Sequence, residues 1–191
     1  MGRLAKLCSK NQGKLRELRA ALPDWDIEPL DAHDYPPEDG ATYYENAHAK
    51  AGFGRKVGER DAWMIGEDSG LEVDGLGGRP GVHSARFGGD DPVARLLGEL
   101  DDIGGDGRGA RYVCELVALA PDGEEVRGTG VLRGVIGREP RGSEGFGYDP
   151  IFAPEGEERT VAELGNEWKR THSHRALAAA ALRAELTERA R

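Results

Sequence analysis

The stretch AWMIGEDSG, residues 62–70, places two acidic residues one glycine after a run of apolar side chains. A short apolar run bounded by polar residues and glycine predicts a buried strand that ends in a polar turn. Adjacent residues of a strand point to opposite sides, so Glu67 and Asp68 are not expected to do the same job. One is predicted to be a functional carboxylate and the other a surface or structural group.

On both sides of this stretch, strand patterns alternate with helix patterns. Val, Leu and Tyr on either side of PDGE, residues 121–124, predict a hairpin, which argues against an all-parallel sheet. The chain is therefore predicted to be an α/β protein with a mixed sheet. The predicted elements are a strand over 4–8, a helix from Asn11 or Gln12, a strand over 26–30, a helix over 42–57, a short helix capped near Asp90 or Asp91, the hairpin strands over 111–120 and 125–136, and a helix over 173–189.

Length, charge and cysteine usage limit the possible functions. The 191 residues suffice for one domain, or one domain with two lobes, and the net charge of −9 argues against a nucleic-acid partner. No stretch approaches the length of a membrane span, and the first residues lack the apolar core of a signal peptide, so we expect a cytoplasmic protein. Cys8 and Cys114 lie in apolar runs and are predicted to be buried and reduced.

The segment SKNQGK, residues 9–14, lies at a predicted strand-to-helix junction. Backbone N–H groups at a helix start favour an anion such as phosphate, and Lys14 adds a positive charge in the first turn. The GxxxxGK[ST] spacing of a P-loop is missing. An alternative interpretation is an Asn or Ser helix cap beside a solvated lysine.

Carboxylates in two segments suit a divalent cation. Glu67 and Asp68 lie just past the predicted strand, where one of the two suits a metal ion, and Glu38 or Asp39 in PPEDG could supply a second carboxylate. Mg²⁺ takes one or two protein carboxylates and completes its shell with water and substrate phosphates. An acidic β-turn at 67–68 is the alternative.

The segment KRTHSHR, residues 169–175, concentrates cationic residues at the predicted start of the last helix. Such charges oppose the helix dipole, so we expect them to face an anionic or hydrogen-bond-accepting group. Capping by Ser173 alone is the other interpretation. The apolar stripe of the helix is predicted to comprise Leu177, Ala178, Ala181, Leu182 and Leu186.

Taken together, these motifs resemble the Ham1/inosine triphosphatase family. The resemblance extends nearly end to end: the S-x-N-x-x-K start, ENA, DSGLEVDGLGGRPGVHSARF, GFGYDPIF and a lysine four residues before SHR. The resemblance implies an inosine triphosphatase-like fold of the Ham1/Maf type, formed by residues 1–191 as a single two-lobed domain. In that fold a long mixed central sheet is flanked by helices around a central cleft.

The resemblance also implies an activity. Family members cleave ITP, dITP and XTP between the α and β phosphates with Mg²⁺, releasing the nucleoside monophosphate and pyrophosphate, and are commonly homodimers. The substrate would be a purine nucleoside triphosphate, with no nucleic-acid or membrane partner. Two alternatives remain open: a nucleotide-binding module without catalysis, and a related phosphatase of other nucleotides or sugar phosphates.

The family's functional residues map onto this chain by motif. Asp68 would be the proton acceptor and a metal ligand, Glu38 the second metal ligand, and Ser69 would lie near the substrate. The phosphates would be held by Ser9, Lys10, Asn11, Gln12, Gly13 and Lys14. The nucleoside would be bordered by Phe146, Gly147, Tyr148, Asp149, Lys169, His174 and Arg175. This chain departs from the common pattern at Glu67, where many members have aspartate.

Overall fold

The computed structural model describes residues 2–189 and Arg191, and its elements follow the predicted α/β alternation. Among these residues no helix is both long enough and apolar enough to cross a membrane. The elements are β1 Arg3–Leu7, α1 Gln12–Ala21, β2 Trp25–Pro29, α2 Tyr43–Val57, β3 Trp63–Val73, β4 Pro80–Gly81, α3 Pro92–Glu99, β5 Gly109–Leu119, β6 Glu125–Ile136, β7 Phe152–Pro154, α4 Val161–His172 and α5 His174–Arg189.

The strands form one mixed sheet, as predicted. Its order is β2-β1-β3-β5-β6-β7, with β4 paired to β3. β1 runs parallel to β2 and β3, whereas β4 is antiparallel to β3 and β7 is antiparallel to β6. The chain forms two compact units, and β3, β5 and β6 each contribute residues to both.

The first unit comprises residues up to Asp68, Cys114–Gly130 and the segment from His174 onward. Its strands are covered on both faces. Ile65 and Leu116 pack with α1 and α5, while their neighbours Met64 and Val117 pack with α2. Because strand residues alternate between faces, this unit has one apolar core on each side of its strands.

Close backbone approach fixes α2 on β3. A Cβ placed on Gly66 would lie 1.8 Å from the carbonyl oxygen of Ala47 in α2. The absence of a side chain at this position therefore lets the helix lie directly on the strand. The following two residues of the strand are Glu67 and Asp68.

The second unit comprises Ser69–Val113 and Val131–Ser173. Its core draws Leu71 and Val73 from the end of β3, Leu96 and Leu100 from the α3 region, and Phe152 from β7. Among the described residues β7 pairs with β6 alone and lies at the edge of the sheet.

Three predictions about elements were wrong. β3 does not end in a polar turn before Glu67 but continues through Asp68 to Val73, so both carboxylates lie within a strand. A separate helix, α4, precedes the last one. Its last turn contains Lys169, Arg170 and His172, and the helix dipole favours basic residues at that end. Leu177 is 38% exposed, and the buried face of α5 instead includes Ala178, Ala179 and Leu182.

Two glycine-to-alanine substitutions, one at the contact between β3 and α2 and one away from it, should change the free energy of unfolding in opposite directions. Gly66→Ala should lower the free energy of unfolding by about 3 kcal/mol, because its methyl group would overlap the α2 backbone. Gly52→Ala, in α2 and with no atom within 4 Å of the added Cβ, should raise it by about 0.5–1 kcal/mol. Urea denaturation measures both values, and wild-type stability of Gly66→Ala would contradict the close approach.

Candidate active site

Asp68 lies on the α2 face of β3 and is held by two residues of that helix. Its Oδ2 accepts a hydrogen bond from Asn46 Nδ2 at 2.9 Å, and its Oδ1 lies 3.1 Å from Lys50 Nζ. Lys50 also donates to the backbone oxygen of Glu67 at 2.8 Å and forms an ion pair with Glu38. One buried ammonium group therefore connects two carboxylates, Asp68 and Glu38.

The start of α2 explains why these groups meet. Thr42 and Glu45 form a capping box, which fixes where the helix begins. Asn46 and Lys50 are one turn apart and therefore share a helix face. The Oδ1 of Asn46 also accepts a hydrogen bond from Gly40 N at 2.9 Å, which ties the preceding loop, with Glu38, to the helix.

The surroundings shift the pKa values of all three charged groups. Burial raises the pKa of Asp68, and the nearby Lys50 charge and Asn46 hydrogen bond oppose this without reversing it. Burial would raise the pKa of Glu38, but Lys50 lowers it overall. Burial would lower the pKa of Lys50, but Asp68, Glu67 and Glu38 together raise it. Lys50 and Glu38 are therefore charged at neutral pH.

Glu38 and Asp68 are the residues predicted to bind Mg²⁺, and their arrangement fits that ion. Both carboxylates converge on a single cationic atom, Lys50 Nζ. Residues 2–189 and 191 contain no group of three or more His, Cys, Asp or Glu side chains that could hold a metal by themselves. A pair of carboxylates suits Mg²⁺, which completes its shell with water and phosphate oxygens.

Glu67 lies on the opposite face of β3 and is fully buried there. Its Oε2 is 2.5 Å from Lys14 Nζ, and its Oε1 accepts a hydrogen bond from Arg175 Nη2 at 2.9 Å. Arg175, which is also buried, forms a second ion pair with Glu17 of α1. Burial would raise the pKa of Glu67, but Lys14, Arg175 and Lys50 hold it well below its usual value.

Cys114 completes the surroundings of Glu67. Its Sγ lies 3.5 Å from Glu67 Oε1. Burial, together with the charge of Glu67, keeps the pKa of this thiol well above its usual value, so the thiol stays protonated and donates the hydrogen bond. Both cysteines are free and buried, as predicted.

The SKNQGK segment begins α1 as predicted. Asn11 is the N-cap, and its Oδ1 accepts a hydrogen bond from Lys14 N at 3.1 Å, while Ser9 Oγ accepts one from Asn11 N. Lys10 reaches the backbone oxygen of His33 at 2.8 Å. A pocket of about 390 Å³ is lined by Ser9, Lys10, the loop 33–36, Glu38 and Lys50. Gln12 is exposed in the first turn and Gly13 is buried.

In the second unit, Asp149 organises the GFGYD segment. Its Oδ2 accepts hydrogen bonds from Lys169 Nζ at 2.6 Å and from Phe146 N at 2.9 Å, and its Oδ1 accepts one from Tyr112 Oη at 3.3 Å. Lys169 Nζ lies 4.7 Å from the centre of the Phe146 ring. The expectation that the cationic residues face an anionic group is therefore confirmed for Lys169.

The two aromatic residues of this segment differ in exposure. Phe146 is 37% exposed, whereas Tyr148 is buried in the core and donates a hydrogen bond to Ser84 O at 3.1 Å. Burial raises the pKa of Tyr148 to about 12. Phe146 is thus the aromatic ring that a ligand can reach. Gly147 is exposed, Ser69 is partly buried and His174 is buried.

The sequence prediction missed three residues that the structure places beside the predicted ones. Asn46 and Lys50 are bonded to Asp68, and Glu17 is bonded to Arg175. Asn46 and Lys50 could have been predicted from the sequence, because polar residues four apart on a helix of alanines share one face. Glu17 lay on a helix with several other charged residues and had no comparable signal.

Comparison with known proteins gives consistent matches along the chain. The model of the Ham1 family matches residues 6–185. A dITP/XTP pyrophosphatase from Methylococcus capsulatus is 43% identical, covering 97% of this chain and 97% of its own. The solved structure of a HAM1 protein from Coxiella burnetii has a TM-score of 0.84 at 34% identity, over 98% of this chain and 100% of that one. A nucleoside-triphosphatase, dITP/XTP pyrophosphatase, from Mycobacterium abscessus has a TM-score of 0.73 at 41% identity, over 93% and 96%.

Glu67→Gln tests the charge network on its face of β3. We expect the free energy of unfolding at pH 7 to fall by about 3 kcal/mol, because Lys14 and Arg175 lose a buried countercharge. Since folding lowers the pKa of Glu67, its stabilisation is complete above the usual value of 4.5 and is lost as the pH falls further. The difference from wild type should be constant from about pH 8 to 5.5 and should narrow below pH 4.5.

The control is Glu28→Gln. Glu28 forms an ion pair with Lys6, and the side chain of Glu28 is 49% exposed. Its stability should stay close to wild type, because exposed ion pairs contribute little. Equal losses of unfolding free energy for Glu28→Gln and Glu67→Gln would show that the burial of Glu67 does not increase its contribution to stability.

Proposed function

The chain belongs to the Ham1 family, and we propose that it hydrolyses non-standard purine nucleoside triphosphates to the nucleoside monophosphate and pyrophosphate. The names of its relatives support dITP and XTP as substrates, and the family resemblance adds ITP. The activity would remove deaminated purines from the nucleotide pool. The enzyme class is a hydrolase acting on a phosphoanhydride bond.

The observation that carries this proposal is the arrangement of charges around Asp68. Hydrolysis of a polyphosphate needs positive charge near its oxygens and an oriented water, more than it needs covalent chemistry. Lys50 supplies a buried positive charge between Asp68 and Glu38. Lys14, at the start of α1, supplies another beside the helix N–H groups.

Asp68 is proposed as the acceptor of the proton from the attacking water. The water oxygen forms a bond to the α-phosphorus, and the bond from that phosphorus to the bridging oxygen breaks. Pyrophosphate leaves with the electron pair, and the water's proton passes to Asp68. Asn46 and Lys50 hold one carboxylate oxygen each, and each oxygen keeps a lone pair for a further hydrogen bond.

The base contacts are assigned to the second unit. Phe146 offers an exposed ring for stacking on a purine. Lys169, held by Asp149, is a donor that would pair with the C6 oxygen of hypoxanthine or xanthine. Adenine carries an amino donor at C6, so the pairing would be lost and replaced by a donor–donor contact. The roles of Ser69, Gly147, His174 and Arg175 toward a nucleoside stay predictions.

The proposal includes Mg²⁺, bound by Glu38 and Asp68. A magnesium ion there would supply positive charge against the phosphate oxygens. Support comes from the two carboxylates converging on Lys50. A homodimer, which the family resemblance implies, and a cytoplasmic location, which the sequence patterns led us to expect, belong to the same proposal.

A substrate panel tests the function. Purified protein is incubated with ITP, dITP, XTP, GTP and ATP, with Mg²⁺ or with excess chelator, and both pyrophosphate and orthophosphate are measured. We expect pyrophosphate from the deaminated purine nucleotides only, and turnover only with Mg²⁺. Comparable turnover of ATP, orthophosphate as the direct product, or tight ITP binding without turnover would overturn the proposal.

Asp68→Asn tests the proton acceptor. The kcat for ITP should fall by about a thousandfold, because a neutral amide cannot take the proton from water. Asp61→Asn, at an exposed position in the turn before β3, is the matched control and should leave kcat near wild type. Circular dichroism should report the same fold for both variants. A kcat near wild type for Asp68→Asn would remove this residue from the proton-transfer step.

A further inference from the structure

The two ends of the loop 141–150, which carries Phe146 and Asp149, are hydrogen-bonded to each other, and the loop is also hydrogen-bonded to the start of α4. Arg141 N donates to Pro150 O at 2.8 Å, which joins the two ends of the loop. Ala162 N, in the first turn of α4, donates to Asp149 O at 3.1 Å. Thr160 Oγ1, at the N-cap of α4, donates to Arg141 O at 2.8 Å. The loop is thus anchored to the first turn of this helix.

The α4 helix is interrupted at Gly165. This residue has φ 85° and ψ 176°, so the backbone leaves the helical conformation between the first turn and the segment 166–172. Such a φ favours glycine. Glycine, however, has no side chain that could accept a hydrogen bond from the new helix start, as Ser, Thr, Asp or Asn would. The segment that carries Lys169 therefore begins without a local cap.

Glu144 supplies the missing acceptor from the loop. Its Oε2 accepts hydrogen bonds from Asn166 N at 2.8 Å and from Asn166 Nδ2 at 2.7 Å. The carboxylate also places a negative charge at the start of the segment, where the helix dipole favours it. A residue of the loop thus does the work of a helix cap.

We propose that Glu144 is a positioning residue for base recognition. The inference rests on the proposed function, because it assigns the role through Lys169 and Phe146. Glu144 bonds to the first residue of the segment 166–172, and Asp149 bonds to Lys169 one turn later. The loop therefore holds this helical turn at two points, which sets where the Lys169 ammonium lies relative to the Phe146 ring.

The loop is short and constrained between these two points. Phe146 N donates to Asp149 Oδ2 at 2.9 Å, and a Cβ on Gly145 would lie 2.2 Å from the same oxygen. Gly145 has φ 82°, so its conformation also favours glycine. With so little freedom between residues 144 and 149, loss of the Glu144 bonds releases one of the two points that align Lys169 with Phe146.

Binding measurements on three variants test the role. They are Glu144→Ala, Glu144→Gln, which keeps an acceptor oxygen, and Glu139→Ala. The last is an exposed glutamate whose side chain has no ion-pair partner among residues 2–189 and 191. Calorimetry gives the Kd for IMP, which presents the base, and for pyrophosphate, which does not.

We expect Glu144→Ala to weaken IMP binding about fivefold, the usual effect of losing one cap. Glu144→Gln should restore most of that affinity, and Glu139→Ala should match wild type. Pyrophosphate affinity should be unchanged throughout. Unchanged IMP affinity in Glu144→Ala, or an equal loss for IMP and pyrophosphate, would overturn the positioning role.

Hydrogen exchange separates this inference from the proposed function. In Glu144→Ala the amides of 142–149 and of 166–172 should exchange faster together, by about fivefold, because one cap bond links the two segments. Faster exchange in 166–172 alone would reduce Glu144 to a simple cap and overturn the inference. A wild-type protein that neither binds IMP nor cleaves ITP would overturn the proposed function, whereas the exchange result would still decide the linkage.

Discussion

The alternation of side chains along β3 is the constraint on which the candidate site depends. Glu67 and Asp68 are neighbours in a strand that is covered on both faces, so their side chains enter different layers of the first unit. Each carboxylate is then buried and needs its own positive partner. The partners come from different helices: Lys14 and Arg175 reach Glu67, and Lys50 reaches Asp68.

This division gives the two carboxylates different chemistry. Glu67 is surrounded by positive charge, which holds its pKa well below the usual value and keeps it ionised, so it serves as a fixed anchor for Lys14. At Asp68 the charge of Lys50 and the hydrogen bond from Asn46 do not offset the effect of burial, so its pKa is raised. A carboxylate whose proton affinity is raised is better suited to accept a proton than one whose affinity is lowered. The sequence-based expectation that only one of the pair is functional is consistent with this contrast.

The sequence predicted the parts of the structure that rest on local patterns. Asn11 as cap of α1 and the hairpin around 121–124 both follow from nearby residues, and both are present. β3 was cut short because polar residues at 67–69 look like a turn, although buried partners from distant helices stabilise them inside a strand. The interrupted helix α4 was missed because Gly165 carries no cap signal and the acceptor for Asn166 comes from Glu144, 22 residues earlier in the chain.

The two groups of proposed functional residues also differ in how they are held. Asp68 and Glu67 lie in a central strand, and their partners project from helices packed on it, so any shift would unpair a buried charge at a cost of several kcal/mol. Phe146 and Asp149 lie on a loop, and exposed bonds such as that from Glu144 to Asn166 contribute to its position. Such exposed hydrogen bonds contribute less to stability than the buried ion pairs around β3, so the residues that form them can be substituted at a smaller cost. The phosphate-handling residues are therefore constrained by the core, as is the buried Asp149–Lys169 pair, whereas the exposed Phe146 and its loop can be adjusted by surface changes that leave the fold intact.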